Sequence, residues 1–237
     1  PKQCAVYVRV NSYDTEYCYG DLSGVFGKDL DGIVLPKLES ADDLKSVESV
    51  MTDLEREHGL EPGSVDLMPI IETAKGADAV REIAQTKSRI KRLSLGGGDY
   101  TRDLGIEWTH DELALLPIRS EIVLASRLGE LEPPIDTVFL HIKEHDAYRE
   151  SCSRARGLGF QGKLCIHPDQ VDRTNDVFTP TEEVVTWSRK IVAEFEKAEK
   201  DGIASIQVDG YFVDYPIVVK AQRALNTIDL LKSLGKA

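Results

Sequence analysis

Cysteine is scarce in this sequence of 237 residues, and the few cysteines form no recognisable motif. There is no C-x-x-C pair and no spacing typical of a zinc site among the four, which are Cys4, Cys18, Cys152 and Cys165. This pattern argues against a disulfide-stabilised secreted domain and against a zinc module. We therefore expect four free thiols in the reducing environment of the cytoplasm.

Long apolar runs and an excess of basic residues are also missing. No apolar run approaches the ~20 residues of a membrane-spanning helix, so we expect no membrane partner. Lys and Arg number 29 against 41 Asp and Glu, and the formal net charge of −12 disfavours nucleic-acid binding, which requires a basic face. Hydrophobic residues make up 41% and charged residues 30%, which excludes a disordered chain and fits one large domain or two small ones.

Six short apolar runs alternate with helical patterns along the chain. The runs are rich in Val, Ile and Leu and lack polar alternation, which is typical of parallel strands covered on both faces. They are Ala5–Val10, Gly32–Lys37, Asp66–Glu72, Arg92–Gly97, Thr137–Ile142 and Lys163–His167. The repeated strand–helix order predicts a parallel α/β fold, and at this point both a barrel and an open sheet remain possible.

Three short segments predict where helices begin. Ser40–Asp43 and Thr109–Glu112 resemble capping boxes, in which a side chain satisfies amides of the first turn. Thr179–Glu182 adds a proline at the first helical position. It opens a long amphipathic segment from Glu182 to about Lys200, and Gly202 predicts its end.

Polar residues follow almost every predicted strand. They include Arg9, Lys37, Glu72, Asp99, His141 and His167. In a (β/α)₈ barrel the carboxyl ends of all strands face one mouth, where active sites lie. Acidic, basic and cationic groups gathered at one mouth favour a barrel enzyme over an open sheet.

Two carboxylates stand out among these residues. Glu72 and Asp99 follow neighbouring predicted strands, which lie ~4.8 Å apart, so both side chains can reach one point. Two carboxylates with room for waters suit Mg²⁺. The glycine run Gly96–Gly98 lets backbone amides approach an anionic ligand, and Arg9 offers a planar fork for a carboxylate. Together they suggest chemistry on a 2-oxo or 2-hydroxy acid.

Two other motifs are set aside. Gly157–Gly162 matches G-x-G-x-x-G, but it follows a helix and precedes a strand, the reverse of the dinucleotide-binding order, so we expect a turn. His141–His145 matches H-x-x-E-H, a zinc pattern that requires a helix. Because His141 ends a predicted strand, we expect it to line the barrel instead.

Eight stretches of the sequence resemble the citrate lyase beta-subunit-like branch of the HpcH/HpaI aldolase superfamily, which includes malyl-CoA and citramalyl-CoA lyases. They recur in family order over nearly the whole chain, which makes the resemblance specific. The stretches are Val8–Asn11, Gly32–Ser40, Ile71–Thr73, Gly96–Gly105, Ile135–Val138, Leu158–Pro168, Phe178–Pro180 and Val208–Pro216.

The resemblance implies a TIM-type (β/α)₈ barrel with a C-terminal helical extension. The family usually has two further strand–helix units before the first strand seen here, so we expect those units to be absent from this chain. Residues 1–180 are then the barrel domain. Residues 181–237 are the extension, which reaches the site of a neighbouring subunit in a homo-oligomer, a trimer or a hexamer.

The resemblance also implies roles for individual residues. Glu72 and Asp99 would bind Mg²⁺, and Arg9 would hold the carboxylate of a 2-oxo acid. The substrate site would comprise Arg9, Glu72 and the amides of Gly97 and Gly98. Asp214 matches a catalytic aspartate of the extension, although with Pro216 behind it the same residue could simply cap a helix running to about Leu234.

The implied reaction is cleavage of a carbon–carbon bond in a 3-hydroxyacyl thioester, of the citryl, malyl or citramalyl type, carried on coenzyme A or an acyl carrier. Its products would be an acetyl thioester and a 2-oxo acid, with Asp214 as the proton donor and Arg9 as the second catalytic residue. Three alternatives remain open: an Mg²⁺-dependent aldolase of free 2-oxo acids, a malyl-CoA thioesterase, and a non-catalytic binding subunit.

Overall fold

The computed structural model describes residues 4–235, which divide into two compact units. The first unit extends to Thr174 and the second begins at Asn175. In the described part of the chain, no helix is both long enough and apolar enough to cross a membrane.

The first unit contains a sheet of six parallel strands. They are β1 (Tyr7–Arg9), β2 (Gly32–Leu35), β3 (Asp66–Ile71), β4 (Ser94–Leu95), β5 (Ile135–Asp136) and β6 (Gly162–Lys163). The strands pair in chain order, from β1 to β6. Because parallel crossovers are right-handed, this order puts every connecting helix on one face and leaves the other face for a barrel interior. The prediction of a barrel-type α/β fold with six strands in this chain is confirmed.

Eight helices belong to the described part of the first unit or run on from it. They are α1 (Cys18–Val25), α2 (Ala41–Glu57), α3 (Ala74–Asp78), α4 (Val80–Gln85), α5 (Gly97–Leu104), α6 (Leu116–Leu128), α7 (His145–Leu158) and α8 (Asp169–Phe178). A 3-10 turn, Leu113–Leu115, leads into α6. The α2 start is as predicted, since the Ser40 hydroxyl accepts the Asp43 amide at 3.0 Å.

The sequence placed one helix start wrongly. Thr109–Glu112 does not cap a helix, because Glu112 has a left-handed backbone (φ 55°) and α6 begins only at Leu116. The Glu112 side chain is buried and accepts hydrogen bonds from Arg119, Arg154 and Ser151. The acidic residue of the apparent capping box, Glu112, is therefore a member of a buried ion pair and not a helix cap.

The predicted strand at Thr137–Ile142 is also misplaced. The strand is β5, two residues earlier, and the apolar residues that follow it form a loop. Phe139 is buried because its ring packs edge-on against neighbouring rings and lies 5.8 Å from that of Tyr148 on α7. Its burial comes from a loop folded back on a helix, which a hydrophobic pattern does not distinguish from a strand.

The core of the first unit lies between the sheet and its helices. On α2, Leu44, Val47, Met51 and Leu54 are buried at helical spacing and form one stripe. The matching sheet residues include Ile33, Leu35, Leu67 and Ile71, all with no exposed surface or almost none. This packing fixes β2 and β3, and with them the residues that follow each strand.

A buried ion pair stabilises the amino end of β3. The Glu55 carboxylate has no exposed surface and accepts bonds from Arg89 Nη1 at 2.7 Å and Nη2 at 3.2 Å. It also accepts the amides of Gly63 at 2.7 Å and Val65 at 2.9 Å. Since Val65 directly precedes β3, this carboxylate links α2 to the start of the strand.

The second unit is built from two long helices and a hairpin. The helices are α9 (Glu182–Lys200) and α10 (Tyr215–Ser233), and the antiparallel strands are β7 (Ser205–Val208) and β8 (Tyr211–Asp214). The predicted end of α9 is confirmed, with Gly202 at a positive φ of 75° just beyond it. The segment predicted from Glu182 coincides with α9, but the cap lies two residues later than predicted, because Thr181 is the N-cap and Pro180 lies outside the helix.

Replacing Glu55 by alanine should lower the free energy of unfolding by about 3–5 kcal/mol, because Arg89 and two amides lose their buried acceptor. Asp53→Ala is the matched control, since it removes an exposed pair with Arg56 from the same helix. That control should cost less than about 1 kcal/mol. Chemical denaturation measures both values, and equal effects of the two substitutions would contradict the assignment.

The same carboxylate should make stability sensitive to acid. Burial tends to raise the pKa of Glu55, but the bonds from Arg89 and the two amides outweigh it and lower the pKa overall. The stabilisation is therefore complete above the ordinary glutamate pKa and is lost as the pH falls through the lowered value. In Glu55→Gln this acid-dependent loss should be absent from a series of unfolding curves between pH 7 and pH 3.

Candidate metal and substrate site at the carboxyl ends of the strands

Three of the predicted site residues follow or end strands of the same sheet. Arg9 is the last residue of β1, Glu72 directly follows β3, and Asp99 lies in the first turn of α5, just beyond β4. The Gly96 amide donates to the Ile71 carbonyl at 3.0 Å, so the turn after β4 lies beside the end of β3. Parallel pairing thus brings these residues to one edge of the sheet.

Glu72 is the buried centre of this group, with 5% of its surface exposed. Its Oε1 atom accepts the backbone amide of Lys37 at 3.1 Å. Burial raises the pKa of Glu72 and the charge of Asp99 raises it further, while the Lys37 amide and the charges of Arg9 and Lys37 act in the opposite direction. All four groups are therefore close enough to act on one carboxylate.

Lys37 presents its amide from an unusual backbone conformation. Its φ is 50°, in the left-handed region that non-glycine residues rarely occupy. The residue follows Pro36 in the turn after β2, and its amide is the hydrogen-bond donor to Glu72. Such a conformation costs free energy, and here it coincides with a direct contact to the candidate site.

Gly96 makes the position of Glu72 possible. A Cβ atom at residue 96 would lie 2.2 Å from Glu72 Oε2, 2.6 Å from Glu72 Cβ and 2.8 Å from Ile70 Cγ2. The φ of Gly96 is −108°, which any residue can adopt. Glycine is required here by the volume that the Glu72 side chain occupies.

Asp99 stands at the start of α5, where the helix dipole favours a negative charge. Its side chain is 34% exposed, and Oδ1 lies 2.9 Å from Arg102 Nη2 one turn further on. The negative charge of Asp99 raises the pKa of the Glu72 carboxyl.

The two predicted glycine amides differ. The Gly97 amide donates to the Thr137 hydroxyl at 2.8 Å, so it is already engaged by the protein. The first bond within α5 is the one from the Tyr100 amide to the Gly96 carbonyl, which leaves the Gly98 amide without a partner inside the helix. A Cβ at residue 98 would meet only Trp108, at 3.5 Å.

The fourth candidate, Asp214, belongs to the second unit, where it ends β8 and precedes α10. It occupies the N-cap position of α10, yet its side chain makes no capping hydrogen bond. The prediction that Asp214 is the N-cap residue of a helix running to about Leu234 is confirmed in position, but the carboxylate supplies no capping bond. A catalytic role for Asp214 stays a prediction.

The carboxylates fit a hard divalent cation. Glu72 and Asp99 supply oxygen ligands, and Mg²⁺ commonly takes one or two protein carboxylates and fills its remaining positions with water and substrate. The raised pKa of Glu72 reflects burial and repulsion that a cation would relieve. Within residues 4–235, no group of three or more His, Cys, Asp or Glu side chains is arranged to hold a metal.

Several contacts of the site could not be read from the sequence. The Lys37 amide, the steric need for Gly96 and the Thr137 hydroxyl all depend on register between distant segments. The motif Ile135–Val138 was the only signal for Thr137. His141 does not line the barrel: it lies in an exposed loop, with Nδ1 3.4 Å from Glu144, and His145 begins α7.

Carboxylates, an arginine and helix amides at the carboxyl ends of parallel strands define a barrel-type α/β protein with an oxygen-rich site. The chain belongs to the HpcH/HpaI aldolase/citrate lyase family, whose model matches residues 1–168. It is 33% identical over 218 residues to the citrate lyase subunit beta of Leuconostoc mesenteroides subsp. cremoris, covering 92% of this chain and 72% of that protein. It is 32% identical over 228 residues to a (3S)-malyl-CoA thioesterase of Cereibacter sphaeroides, covering 96% and 75%.

Solved structures agree with this assignment. The CitE protein of Mycobacterium tuberculosis, determined with magnesium, acetoacetate and coenzyme A, matches with a TM-score of 0.75 and 25% identity over 94% of this chain and 78% of that one. A citrate lyase from Burkholderia xenovorans matches with a TM-score of 0.80 over 98% and 74%, at 19% identity, and supports the fold.

Gly96→Ala should destabilise the protein by about 1–3 kcal/mol, because the new methyl group overlaps the Glu72 side chain in a packed region. Gly98→Ala is the matched control in the same turn, where the added atom meets only an ordinary contact and should cost less than about 1 kcal/mol. Chemical denaturation of both variants tests this. A Gly98→Ala cost as large as that of Gly96→Ala would show that the geometry around Glu72 is wrong.

Proposed function

We propose that this protein is an Mg²⁺-dependent carbon–carbon lyase of a 3-hydroxyacyl thioester that carries a carboxylate. The substrate would be of the citryl, malyl or citramalyl type on coenzyme A or an acyl carrier, and the products an acetyl thioester and a 2-oxo acid. The observation that carries the proposal is the buried Glu72 carboxylate at the end of β3, with Arg9 at the end of β1 and Asp99 just beyond β4 in the same sheet. The citrate lyase beta-subunit relatives and the CitE complex support the same chemistry.

Each residue of the site would have a distinct task. Glu72 and Asp99 would hold Mg²⁺, which when bound supplies Lewis-acid stabilisation to a developing carbonyl oxygen. Arg9 would orient the substrate carboxylate through its guanidinium fork. The Gly98 amide, at the start of α5, would donate to the same anionic group, and the Gly97 amide would join it only by exchanging its bond to Thr137.

Cleavage removes one proton from the substrate hydroxyl, adds one proton to the enolate carbon and moves the electron pair of the broken carbon–carbon bond. The substrate hydroxyl gives its proton to a general base, its oxygen becomes the carbonyl of the 2-oxo acid, and the electrons of the broken carbon–carbon bond pass to the thioester enolate. Asp214 would protonate the enolate carbon, and in the reverse direction it would act as the base. Its carboxylate is available for this because it makes no capping bond at α10.

The second unit would bring Asp214 to a site in a neighbouring copy. We propose a homo-oligomer, a trimer or a hexamer, in which residues 181–237 act as an extension to another subunit. This arrangement makes activity depend on assembly, so dilution below the dissociation concentration should lower specific activity.

A thioesterase is the second candidate function, because a relative of this name is 32% identical over nearly the whole chain. Hydrolysis would use the same cation and carboxylate clamp, but water would attack the thioester carbonyl. The two reactions differ in their products: a lyase keeps the acetyl group on the thiol, whereas a thioesterase releases the free thiol.

The deciding experiment is a product assay with citryl-, malyl- and citramalyl-thioesters of coenzyme A, with and without Mg²⁺. We expect a 2-oxo acid and an acetyl thioester from one of them, only when Mg²⁺ is present. Free thiol without a 2-oxo acid would favour the thioesterase. Turnover of free 2-oxo acids, with none of the thioesters cleaved, would favour an aldolase, and no turnover of any substrate would favour a binding subunit.

Asp214→Asn should reduce turnover by about 100-fold or more, since a positioned proton donor contributes ~10²–10⁴-fold. Binding of Mg²⁺, measured by calorimetry, should be unchanged. Asp229→Asn, an exposed aspartate on the same helix α10, is the matched control and should keep full activity. Near-normal turnover by Asp214→Asn would exclude its catalytic role.

A further inference from the structure

A buried hydrogen bond connects the loop after β5 to the candidate site. The Thr137 hydroxyl accepts the Gly97 amide at 2.8 Å, and Thr137 is 1% exposed. The two residues also pack closely, because a Cβ at residue 97 would lie 3.0 Å from Thr137 Oγ1 and 3.1 Å from Cγ2. Thr137 therefore holds the first residue of α5 by both polar and steric contact.

Thr137 is itself held by a buried ion network around Asp136, the preceding residue and the last of β5. Asp136 is fully buried and accepts Arg119 Nε at 2.8 Å, Arg119 Nη2 at 2.9 Å and Lys163 Nζ at 2.6 Å. Arg119 also donates to Glu112 at 3.0 Å. Since removing one partner of a buried pair is costly, this network fixes the end of β5 firmly.

The other end of α5 has a second tether. The Asp103 carboxylate accepts the Ala74 amide at 2.7 Å, and Ala74 lies two residues after Glu72. Asp99 thus stands between a tether to Thr137 at the start of the helix and a tether to the Glu72 segment near its end. Of the two, the Thr137 bond lies closer to Asp99 along the chain.

We propose that Thr137 is a positioning residue of this site, which fixes the first turn of α5 and with it the position of Asp99 relative to Glu72. The role is indirect, because Thr137 acts through the Gly97 amide. Valine at this position keeps the shape of threonine but has no acceptor, which leaves a buried amide unpaired and frees the turn to shift. The Mg²⁺ titration used to test this inference rests on the proposed function, whereas the measurement of amide exchange does not.

The test compares Thr137→Val with Thr137→Ser, which keeps the hydroxyl, and with Thr174→Val. Thr174 is a matched control, because it is also buried and hydrogen-bonded, to the Tyr148 hydroxyl at 2.5 Å, and it belongs to a different cluster. Amide hydrogen exchange of residues 97–99 and calorimetric titration with Mg²⁺ alone are measured on the intact protein for all variants.

In Thr137→Val we expect exchange of the Gly97 amide to accelerate about 10-fold, as for loss of one hydrogen bond. We also expect Mg²⁺ affinity to fall about 10-fold, the usual effect of removing a group that orients a metal ligand. Thr137→Ser should restore both to within about 2-fold, and Thr174→Val should change neither, even if its melting temperature falls.

The outcomes separate this inference from the proposed function. If the wild-type protein binds no Mg²⁺, the proposed function fails, and Thr137 is judged by the exchange of residues 97–99 alone. Unchanged exchange in Thr137→Val overturns the positioning role. So does a loss of stability with Mg²⁺ affinity intact, or a loss of affinity equally large in Thr174→Val, because either result would show a purely structural residue.

Discussion

The segments at the carboxyl ends of the strands are arranged around the buried carboxylate of Glu72. A carboxylate out of water needs hydrogen bonds, counter-charges and space, and here three neighbouring segments provide them. The turn after β2 supplies the Lys37 amide, and β1 supplies the charge of Arg9. The turn after β4 leaves room for the carboxylate because residue 96 is a glycine. Asp99 adds a second negative charge, which raises the pKa of Glu72, and a divalent cation would relieve the repulsion between the two carboxylates.

Buried carboxylates paired with basic side chains also occur elsewhere in the sheet, at the amino end of one strand and at the carboxyl end of another. At the amino end of β3, Glu55 is buried against Arg89 and accepts the Val65 amide just before the strand. At the carboxyl end of β5, Asp136 is buried against Arg119 and Lys163. Each buried carboxylate joins a helix to a strand end through charged groups, so strands as short as two residues keep a defined position without a long ladder of hydrogen bonds.

The fold and part of the site could be predicted because they depend on local pattern. The apolar runs that gave β3 and β4 also placed Glu72 and Asp99 after neighbouring strands, and the capping signal at Ser40 identified α2. The errors arose where distant residues decide. Phe139 packs against Tyr148 of α7 rather than in a sheet, and Glu112 accepts hydrogen bonds from Ser151 and Arg154 of α7 instead of capping the helix that follows it. Neither partner can be seen in the local sequence.

The turn after β4 has a consequence for comparing family members. Because the Glu72 carboxylate fills the space where a Cβ of residue 96 would stand, these two positions are a single steric unit. A relative with alanine or serine at the position of Gly96 must move its glutamate, even if that glutamate is retained. Such a pair can therefore serve as a marker for sorting sequences: glycine opposite glutamate indicates the packing seen here, and any larger residue there indicates a displaced glutamate, whatever the overall percentage of identity.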